Sequence, residues 1–370
     1  MKRVVIAGLG DTGVLVAMGL VGEVEVVGIT PKPALVSGQE LGMRVARPDD
    51  WRKHYLVGFE RYRALRGVQV RHGLVEQLDV TQSSLTVRGA SGSFETLSYD
   101  ALVLSPGVTN GFWRTPTIET REAVDGAIDT LANELAAAKS IAVIGGGVTG
   151  VSAASNLKET HPSTRVVLAF SQDELLPGYH PRVRASVRTR LVEQGVELLP
   201  GHRAQPPAGF GFDRLTRGAV HFTSGQSPLD VEVALWAVGQ TRPNTSFIPT
   251  SLLDERGFIR VDEHLRVRDT TNVFSVGDAA ATDPNRSSAR NAGYSVVVHN
   301  VRRLLAGQSS RMKPFQPTTH RWGSVLGIQR DGLRVFAPNG FGFRFAPFWV
   351  RNVLFPWIVS RGIYRGIDPP

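Results

Sequence analysis

Two glycine-rich segments with the same spacing constrain the fold of this chain more than any other feature. They lie 137 residues apart and read Gly8-Leu9-Gly10-Asp11-Thr12-Gly13 and Gly145-Gly146-Gly147-Val148-Thr149-Gly150. In this pattern the first glycine makes a tight turn, the second lets the backbone approach a pyrophosphate, and the third lets helix and strand pack closely. One copy alone is weak evidence, because glycine-rich turns are common. Two copies, each between an apolar strand-like run and a helix-like run, predict two dinucleotide sites.

The apolar runs around these segments predict two strand–turn–helix–strand units. The first has strands at 4–7 and 24–29 with a helix ending at 20, and the second has strands at 141–144 and 165–170 with a helix ending near 159. Residues 84–88 and 94–97 flank a glycine-rich turn and predict a surface hairpin. Residues 206–211 predict a loop, since they contain two prolines and two glycines. Nothing repeats at 20 to 50 residues, so a solenoid is not indicated.

Composition removes several classes of chemistry. The 370 residues suggest two or three globular domains, and 42% hydrophobic with 20% charged residues argues against disorder. The absence of cysteine excludes disulfides, thiolate metal sites, a cysteine nucleophile and a redox dithiol, so redox chemistry would need a bound cofactor. No two of the nine histidines have metal-ligand spacing, and we predict no metal site. The short apolar start does not resemble a signal peptide, so we expect a cytoplasmic protein.

The net charge of +9 is concentrated at the C-terminus, because residues 311–370 contain nine Lys and Arg against two Asp. The same segment is rich in rings, namely Phe341, Phe343, Phe345, Phe348, Trp349, Phe355, Trp357 and Tyr364. Interleaved arginines and rings are typical of a surface that lies in a membrane interface, so residues 341–365 predict membrane contact. Pro347, Arg351 and Pro356 interrupt the segment and argue against a span. A hydrophobic subdomain or a dimer face is the alternative, and a homodimer is possible.

Three further segments carry a family resemblance that covers roughly residues 1–305. They are 102–107 (LVLSPG), 236–244 (WAVGQTRPN) and 271–280 (TNVFSVGDAA). In this order they resemble the flavoproteins with two dinucleotide-binding domains, a superfamily like the pyridine nucleotide-disulfide oxidoreductases. The resemblance is to type II NADH:quinone oxidoreductases and apoptosis-inducing-factor-like flavoproteins in particular. It implies an α/β fold with two Rossmann-like domains, in which an FAD domain (1–109 and 240–310) contains an inserted NAD(P)H domain (110–239). Residues 311–370 would form the C-terminal segment.

The resemblance also places the cofactors and their contacts. The expected FAD contacts are Gly8, Gly10, Asp11, Thr12, Gly13, Thr30, Lys32, Val75, Ser105, Pro106, Gly107, Gly277 and Asp278. The expected NAD(P)H contacts are Gly145, Gly147, Val148, Thr149, Gly150, Ser171 and Gly239. Asp278 would accept hydrogen bonds from ribitol hydroxyls, and residues 289–294 would begin a helix that faces the flavin ring. No catalytic acid, base or nucleophile is assigned, because hydride transfer depends on stacking and orientation.

Three positions depart from the family pattern. The first unit ends at Thr30 with no carboxylate for the adenosine ribose, and Lys32 could approach a phosphate or be a solvated surface charge. The second unit ends at Ser171 without an acid that would repel the 2′-phosphate of NADPH, which favours dual or NADPH-leaning use. Arg182 and Arg184 could contact that phosphate but fit a helix surface better. Ser152 stands where relatives have a glutamate near the nicotinamide, which leaves the hydride-transfer geometry less defined.

These observations favour an FAD-dependent NAD(P)H oxidoreductase that passes electrons to a quinone-type acceptor, peripheral on the inner face of a membrane. A soluble reductase or oxidase is the first alternative, with oxygen, a ferredoxin-like protein or a small electrophile as acceptor. A flavoprotein that binds nucleic acid through its basic tail is the second. It is not favoured, because the tail is more hydrophobic than a surface that follows phosphates requires.

Overall fold

Two sheets built mainly from parallel strands organise the chain. The computed structural model describes residues 1–109, 115–238, 242–282, 293–317 and 322–369. Within these ranges the strands are β1 Arg3–Ala7, β2 Glu25–Thr30, β3 Leu35–Val36, β4 Leu56–Val57, β5 Val68–Asp79, β6 Ser84–Gly89, β7 Phe94–Ser98, β8 Ala101–Leu104, β9 Val108–Thr109, β10 Ser140–Ile144, β11 Arg165–Ala169, β12 Glu197–Leu199, β13 Thr216–Arg217, β14 Val233–Trp236, β15 Arg242–Pro243, β16 Val273–Ser275, β17 Ile328–Gln329, β18 Gly332–Phe336 and β19 Gly342–Phe345. The helices are α1 Asp11–Leu20, α2 Leu41–Ala46, α3 Pro48–Tyr55, α4 Arg121–Ala137, α5 Val148–Thr160, α6 Pro181–Glu193, α7 Gly293–Leu305 and α8 Pro347–Trp349, which continues into a π-helix at Val350–Ile363.

The first sheet has the strand order β16-β8-β1-β2-β5-β6-β7. Its strands from β16 to β5 run parallel, whereas β5, β6 and β7 form an antiparallel meander that contains the predicted hairpin. The four residues from Val4 to Ala7 in β1 are almost completely buried. A continuous apolar run is what a central parallel strand needs, because helices or loops cover both of its faces.

The second sheet has the order β12-β11-β10-β14-β13, in which only β13 is antiparallel. All of its strands lie between β8 and β16 in the sequence. The strands of the first sheet therefore come from chain segments before and after those of the second sheet. A two-stranded pairing of β9 with β15 joins the outgoing and returning connections. Asn244 strengthens this junction, because its backbone N–H donates to the Gly107 carbonyl at 3.1 Å and its side chain donates to the Pro106 carbonyl at 3.0 Å.

The predicted α/β fold with two Rossmann-like units is confirmed. Each predicted strand–turn–helix–strand unit is present, and the ends of its elements lie within one residue of the expected positions. Residues 206–211 form a loop, as their composition predicts. The boundaries proposed for the two domains remain predictions.

The C-terminal segment packs against both halves of the molecule. β17, β18 and β19 form an antiparallel sheet, and Leu326 and Phe336 join the core that lies between α2, α5 and the second sheet. At the end of the chain, the Asp368 carboxylate accepts from Arg63 at 2.6 Å and from Arg66 at 2.7 Å, beside the first sheet. No helix in the described ranges combines the length and the apolarity needed to cross a bilayer.

Candidate cofactor sites

A cavity of about 650 Å³ opens at the carboxyl ends of the parallel strands of the first sheet. This edge is where open parallel sheets bind nucleotides. Twelve of the expected FAD residues line it: Gly8, Gly10, Asp11, Thr12, Thr30, Lys32, Val75, Ser105, Pro106, Gly107, Gly277 and Asp278. Gly13 is not in the wall of the cavity and has a packing role instead.

The glycines of the first fingerprint bring three backbone segments into contact. Gly8 has a φ of +107°, and a Cβ at Gly13 would lie 1.8 Å from the Gly8 carbonyl oxygen. The hydroxyl of Ser105 donates to the same oxygen at 2.7 Å. By contrast, a Cβ at Gly10 would meet nothing within 4 Å, so the backbone there is open to a ligand. The N-terminus of α1 therefore has the geometry of a pyrophosphate cradle, which is the part of FAD that the fingerprint fits.

Two carboxylates flank the start of α1. Asp11 accepts hydrogen bonds from the Ser37 hydroxyl at 2.7 Å and the Gly38 backbone N–H at 2.8 Å, and so fixes the loop after β3. Asp278 reaches the cavity from the other side, because Gly277 (φ +94°) turns the chain after β16 and lies against Thr12. Carboxylate oxygens at this position fit the hydroxyls of a ribitol chain. The residues at this end of the cavity therefore suit the central part of FAD.

Lys32 is not a solvated surface charge, because its side chain is largely buried and held by neighbouring groups. Its side chain is 17% exposed, and its ammonium donates to the Thr115 hydroxyl at 3.2 Å and the Thr117 carbonyl at 3.1 Å. It also pairs with the carboxylate of Glu119. Burial lowers the pKa of Lys32, and the neighbouring Glu119 opposes that shift. Thr30 is 3% exposed, and its hydroxyl accepts from the Lys32 backbone N–H at 3.2 Å.

Four charged residues in the cavity wall belong to no sequence motif, namely Glu76, Asp213, Arg44 and Glu119. Arg44 is buried in α2 with its guanidinium 5.4 Å from the centre of the Trp51 ring. Glu119 precedes α4 and lies beside Lys32. Neither Arg44 nor Glu119 has a local signal, because Arg44 belongs to no motif and Glu119 lies 87 positions after Lys32 along the chain.

A second pocket of about 330 Å³ lies at the corresponding edge of the second sheet. Of the residues expected at NAD(P)H, Gly145, Gly147 and Ser171 line it. Val148, Thr149 and Gly150 form the first turn of α5, where a Cβ at Gly150 would lie 2.0 Å from the Gly145 carbonyl oxygen. Gly239 lies outside the described residues. The pocket is also lined by His202 and Arg203, which follow β12 and which no motif indicates.

Ser152 does not line this pocket. It is 5% exposed, its hydroxyl donates to the Leu326 carbonyl at 3.2 Å, and its backbone packs against Gly42 of α2. The departure from the family glutamate thus has a packing reason, since α2 and the C-terminal segment fill the space beside it. Arg184 pairs with Glu174 and Arg182 lies exposed in α6, so these arginines lie on a helix, as the sequence favours.

The chain is similar in sequence to several known proteins. The chain is 31% identical over 204 residues to Fe-regulated protein 8 of Mycosarcoma maydis, covering 52% of this chain and 48% of that protein. It is 27% identical over 218 residues to ferroptosis suppressor protein 1 of Homo sapiens, covering 57% of this chain and 56% of that protein. The matches therefore span about half the length of these two relatives.

Among solved structures, NDH2 from Plasmodium falciparum in complex with NADH superposes with a TM-score of 0.74 at 12% identity. The alignment covers 98% of this chain and 96% of that one.

Residues 2–296 match the pyridine nucleotide-disulphide oxidoreductase family, whose cofactors are FAD and a pyridine nucleotide. The sequence has no cysteine, so a redox dithiol of its own is absent from this chain. With the family match over most of its length and a pocket at each fingerprint, the chain belongs to the pyridine nucleotide-disulphide oxidoreductase family.

Proposed function

We propose that this chain transfers electrons from NAD(P)H, through FAD, to a quinone-type acceptor at a membrane surface. FAD supplies the redox chemistry when bound, since it takes up a hydride and releases electrons to an acceptor. The chain binds and orients the reactants. The α1 cradle and Asp278 would hold the first dinucleotide, and the turn before α5 would hold the second.

An exposed aromatic surface is the observation that carries the membrane and quinone parts of the proposal. We call it the aromatic face; its side chains are between 43% and 65% exposed and belong to Trp322, Phe341, Phe343, Phe345, Phe348, Trp349, Trp357 and Ile358. Phe341, Phe343 and Phe345 alternate along β19 or just before it, so they point to the same side of that strand. Trp322 stacks on Phe343 with ring centres 6.0 Å apart. Large apolar patches of this kind mark interaction sites.

Arginines accompany these rings. The guanidinium of Arg361 lies 4.0 Å from the centre of the Trp357 ring, and Arg344 and Arg351 are exposed nearby in the chain. Rings placed at headgroup depth with cations beside them suit a surface of anionic lipid. A lipid-soluble quinone would be reached from such a surface. The resemblance of the sequence motifs to those of type II NADH:quinone oxidoreductases supports a quinone as the acceptor.

The second pocket supports use of NADPH. Ser171 and Gln172 line it where an acid would repel a 2′-phosphate, and Arg203 adds an exposed cation. His202 lies beside Arg203, and its Nδ1 is 2.7 Å from the Pro200 carbonyl. Glu174 also lines the pocket, but its charge is balanced by Arg184. Arg203 is therefore the cation that we assign to the 2′-phosphate.

The test of the electron path is anaerobic stopped-flow on the flavin-loaded protein. NADPH or NADH should bleach the visible flavin band, and a short-chain quinone should restore it. A band that neither nucleotide bleaches would refute the oxidoreductase assignment. Recovery with air that is as fast as recovery with quinone would instead favour a soluble oxidase.

The membrane part is tested with the double variant W349S/W357S and the control F94S. Phe94 is 65% exposed on β7, outside the aromatic face, so the control removes a ring that is more exposed than either tryptophan. We expect the double variant to lose sedimentation with vesicles of phosphatidylcholine and phosphatidylserine, and to lose turnover of a long-chain quinone in those vesicles. Turnover of a short-chain quinone in solution should be unchanged in both variants. Unaltered vesicle binding by W349S/W357S would contradict the proposal.

A further inference from the structure

The adenosine end of the first cavity lacks the acid that the family places at the end of the second strand. Thr30 occupies that position, and it is nearly inaccessible. Its oxygen accepts from the Lys32 backbone N–H at 3.2 Å, which closes a local turn. A buried neutral hydroxyl in such a turn is a weaker partner for ribose hydroxyls than a carboxylate is.

A different segment brings a carboxylate beside the chain that leaves β2. Residues 115–119 run beside the chain that leaves β2, and the Glu119 backbone N–H donates to the Pro31 carbonyl at 3.0 Å. Immediately afterwards α4 begins, with Thr120 as its N-cap, whose hydroxyl accepts from the Ala123 backbone N–H at 3.2 Å. The backbone of Glu119 is thus held from both sides, and the positive end of α4 favours a negative charge there.

Lys32 fixes the side chain of Glu119. The two side chains form an ion pair in which the lysine is 17% and the glutamate 26% exposed. Both residues line the 650 Å³ cavity, as do Thr30, Thr115 and Arg44. The lysine contact uses one carboxylate oxygen, Oε2. A carboxylate offers about four acceptor positions on its two oxygens, so this contact leaves capacity for ligand hydroxyls.

We propose that Glu119, positioned by Lys32, accepts the hydrogen bonds of the adenosine ribose of FAD in place of the missing strand-end acid. In this chain the carboxylate would come from the segment before α4, whereas the family pattern supplies it from the end of the second strand. The ion pair with Lys32 keeps the Glu119 side chain from turning to solvent. The assignment concerns FAD alone and stands whether or not the acceptor is a quinone.

The experiment compares FAD and FMN binding to the apoprotein of the full chain by quenching of flavin fluorescence. FMN has the same flavin ring and ribitol but no adenosine. We expect E119Q to weaken FAD binding by roughly ten- to hundredfold, because a hydrogen bond to a charged group is lost. FMN binding should be unchanged. K32M should weaken FAD binding in the same direction by a smaller factor, because the carboxylate remains but is no longer held.

The matched control is E122Q, in the first turn of α4, whose carboxylate is exposed and does not line the cavity. It should bind FAD and FMN as the unaltered protein does. Thermal unfolding of each apoprotein checks that the fold is retained. FAD binding by E119Q that stays within twofold of the unaltered protein would overturn the assignment, and so would an equal loss for FAD and FMN.

Discussion

The helices α2 and α5 lie so close together that the effect of one substitution on the free energy of unfolding can be predicted from interatomic distances. Gly42 lies in α2, and a Cβ at this position would be 2.4 Å from both the carbonyl oxygen and the hydroxyl of Ser152 in α5. An unstrained carbon contact is about 3.5 Å, so the substitution G42A would force these helices apart by roughly 1 Å. The hydroxyl could rotate away, but the carbonyl oxygen belongs to the backbone of α5 and cannot.

The expected cost follows from two opposing effects. Overpacking of this kind destabilises by about 1–3 kcal/mol, whereas replacing glycine by alanine in a helix stabilises by at most about 1 kcal/mol. Gly126 in α4 provides the matched control, because a Cβ there would meet nothing within 4 Å. We therefore expect G126A to be slightly more stable than the unaltered protein and G42A to be less stable, with about 1–3 kcal/mol between the two variants.

The assay is thermal and urea unfolding of both variants in the same buffer, followed by tryptophan fluorescence. The urea midpoints give the difference in the free energy of unfolding. A G42A variant as stable as G126A would refute the reasoning, since it would show that α2 and α5 have room for a methyl group. It would also remove the packing explanation for serine at position 152.

Two further predictions concern the second pocket and the C-terminal helix. R203A should raise the KM for NADPH roughly three- to tenfold and leave the KM for NADH and both kcat values unchanged, as one partly solvated phosphate contact is lost. R182A, which alters an arginine of α6 that does not line the pocket, is its control, and equal effects on both nucleotides would contradict the role of Arg203. His54 stacks on Phe355 of the π-helix with ring centres 3.6 Å apart, although the residue keeps an exposed surface. Desolvation of the ring, helped by Lys53 and opposed by Asp50, lowers the pKa of His54 from 6.5 to about 4. The unfolded chain therefore binds a proton at His54 more readily than the folded chain does. The contribution of His54 to the free energy of unfolding is full above pH 6.5 and is lost as the pH falls towards 4. Unfolding measurements on H54Q should show a weaker dependence of stability on pH in this range.

The sequence predicts those parts of the fold in which residues that are neighbours along the chain determine the structure. A parallel strand buried on both faces requires a continuous apolar run, and Val4 to Ala7 supply one. The turn that follows requires a positive φ at Gly8 and no side chain at Gly13, so glycine is the residue that fits both positions. Two such units in the sequence therefore predict two sheets, each with a nucleotide pocket.

Other features depended on contacts between distant segments. The sequence shows that no acid follows β2, but it gives no sign that Glu119 lies beside Lys32, because that contact requires the path of the chain into α4. The position of Arg203 in the second pocket likewise depends on how β12 pairs with β11. Local patterns carry no information about such pairings.

The sequence by itself determined the two nucleotide-binding units, the lack of a redox dithiol and the basic, aromatic character of the C-terminus. Tertiary structure alone decided that Ser152 packs against Gly42 and does not line the second pocket. It also decided that the C-terminal segment joins the cores of both halves, through Phe336 and Tyr364. The physical reason is that spacing along the chain fixes turns and buried faces within a unit. Which surfaces meet is fixed by the shape and charge of segments far apart in sequence.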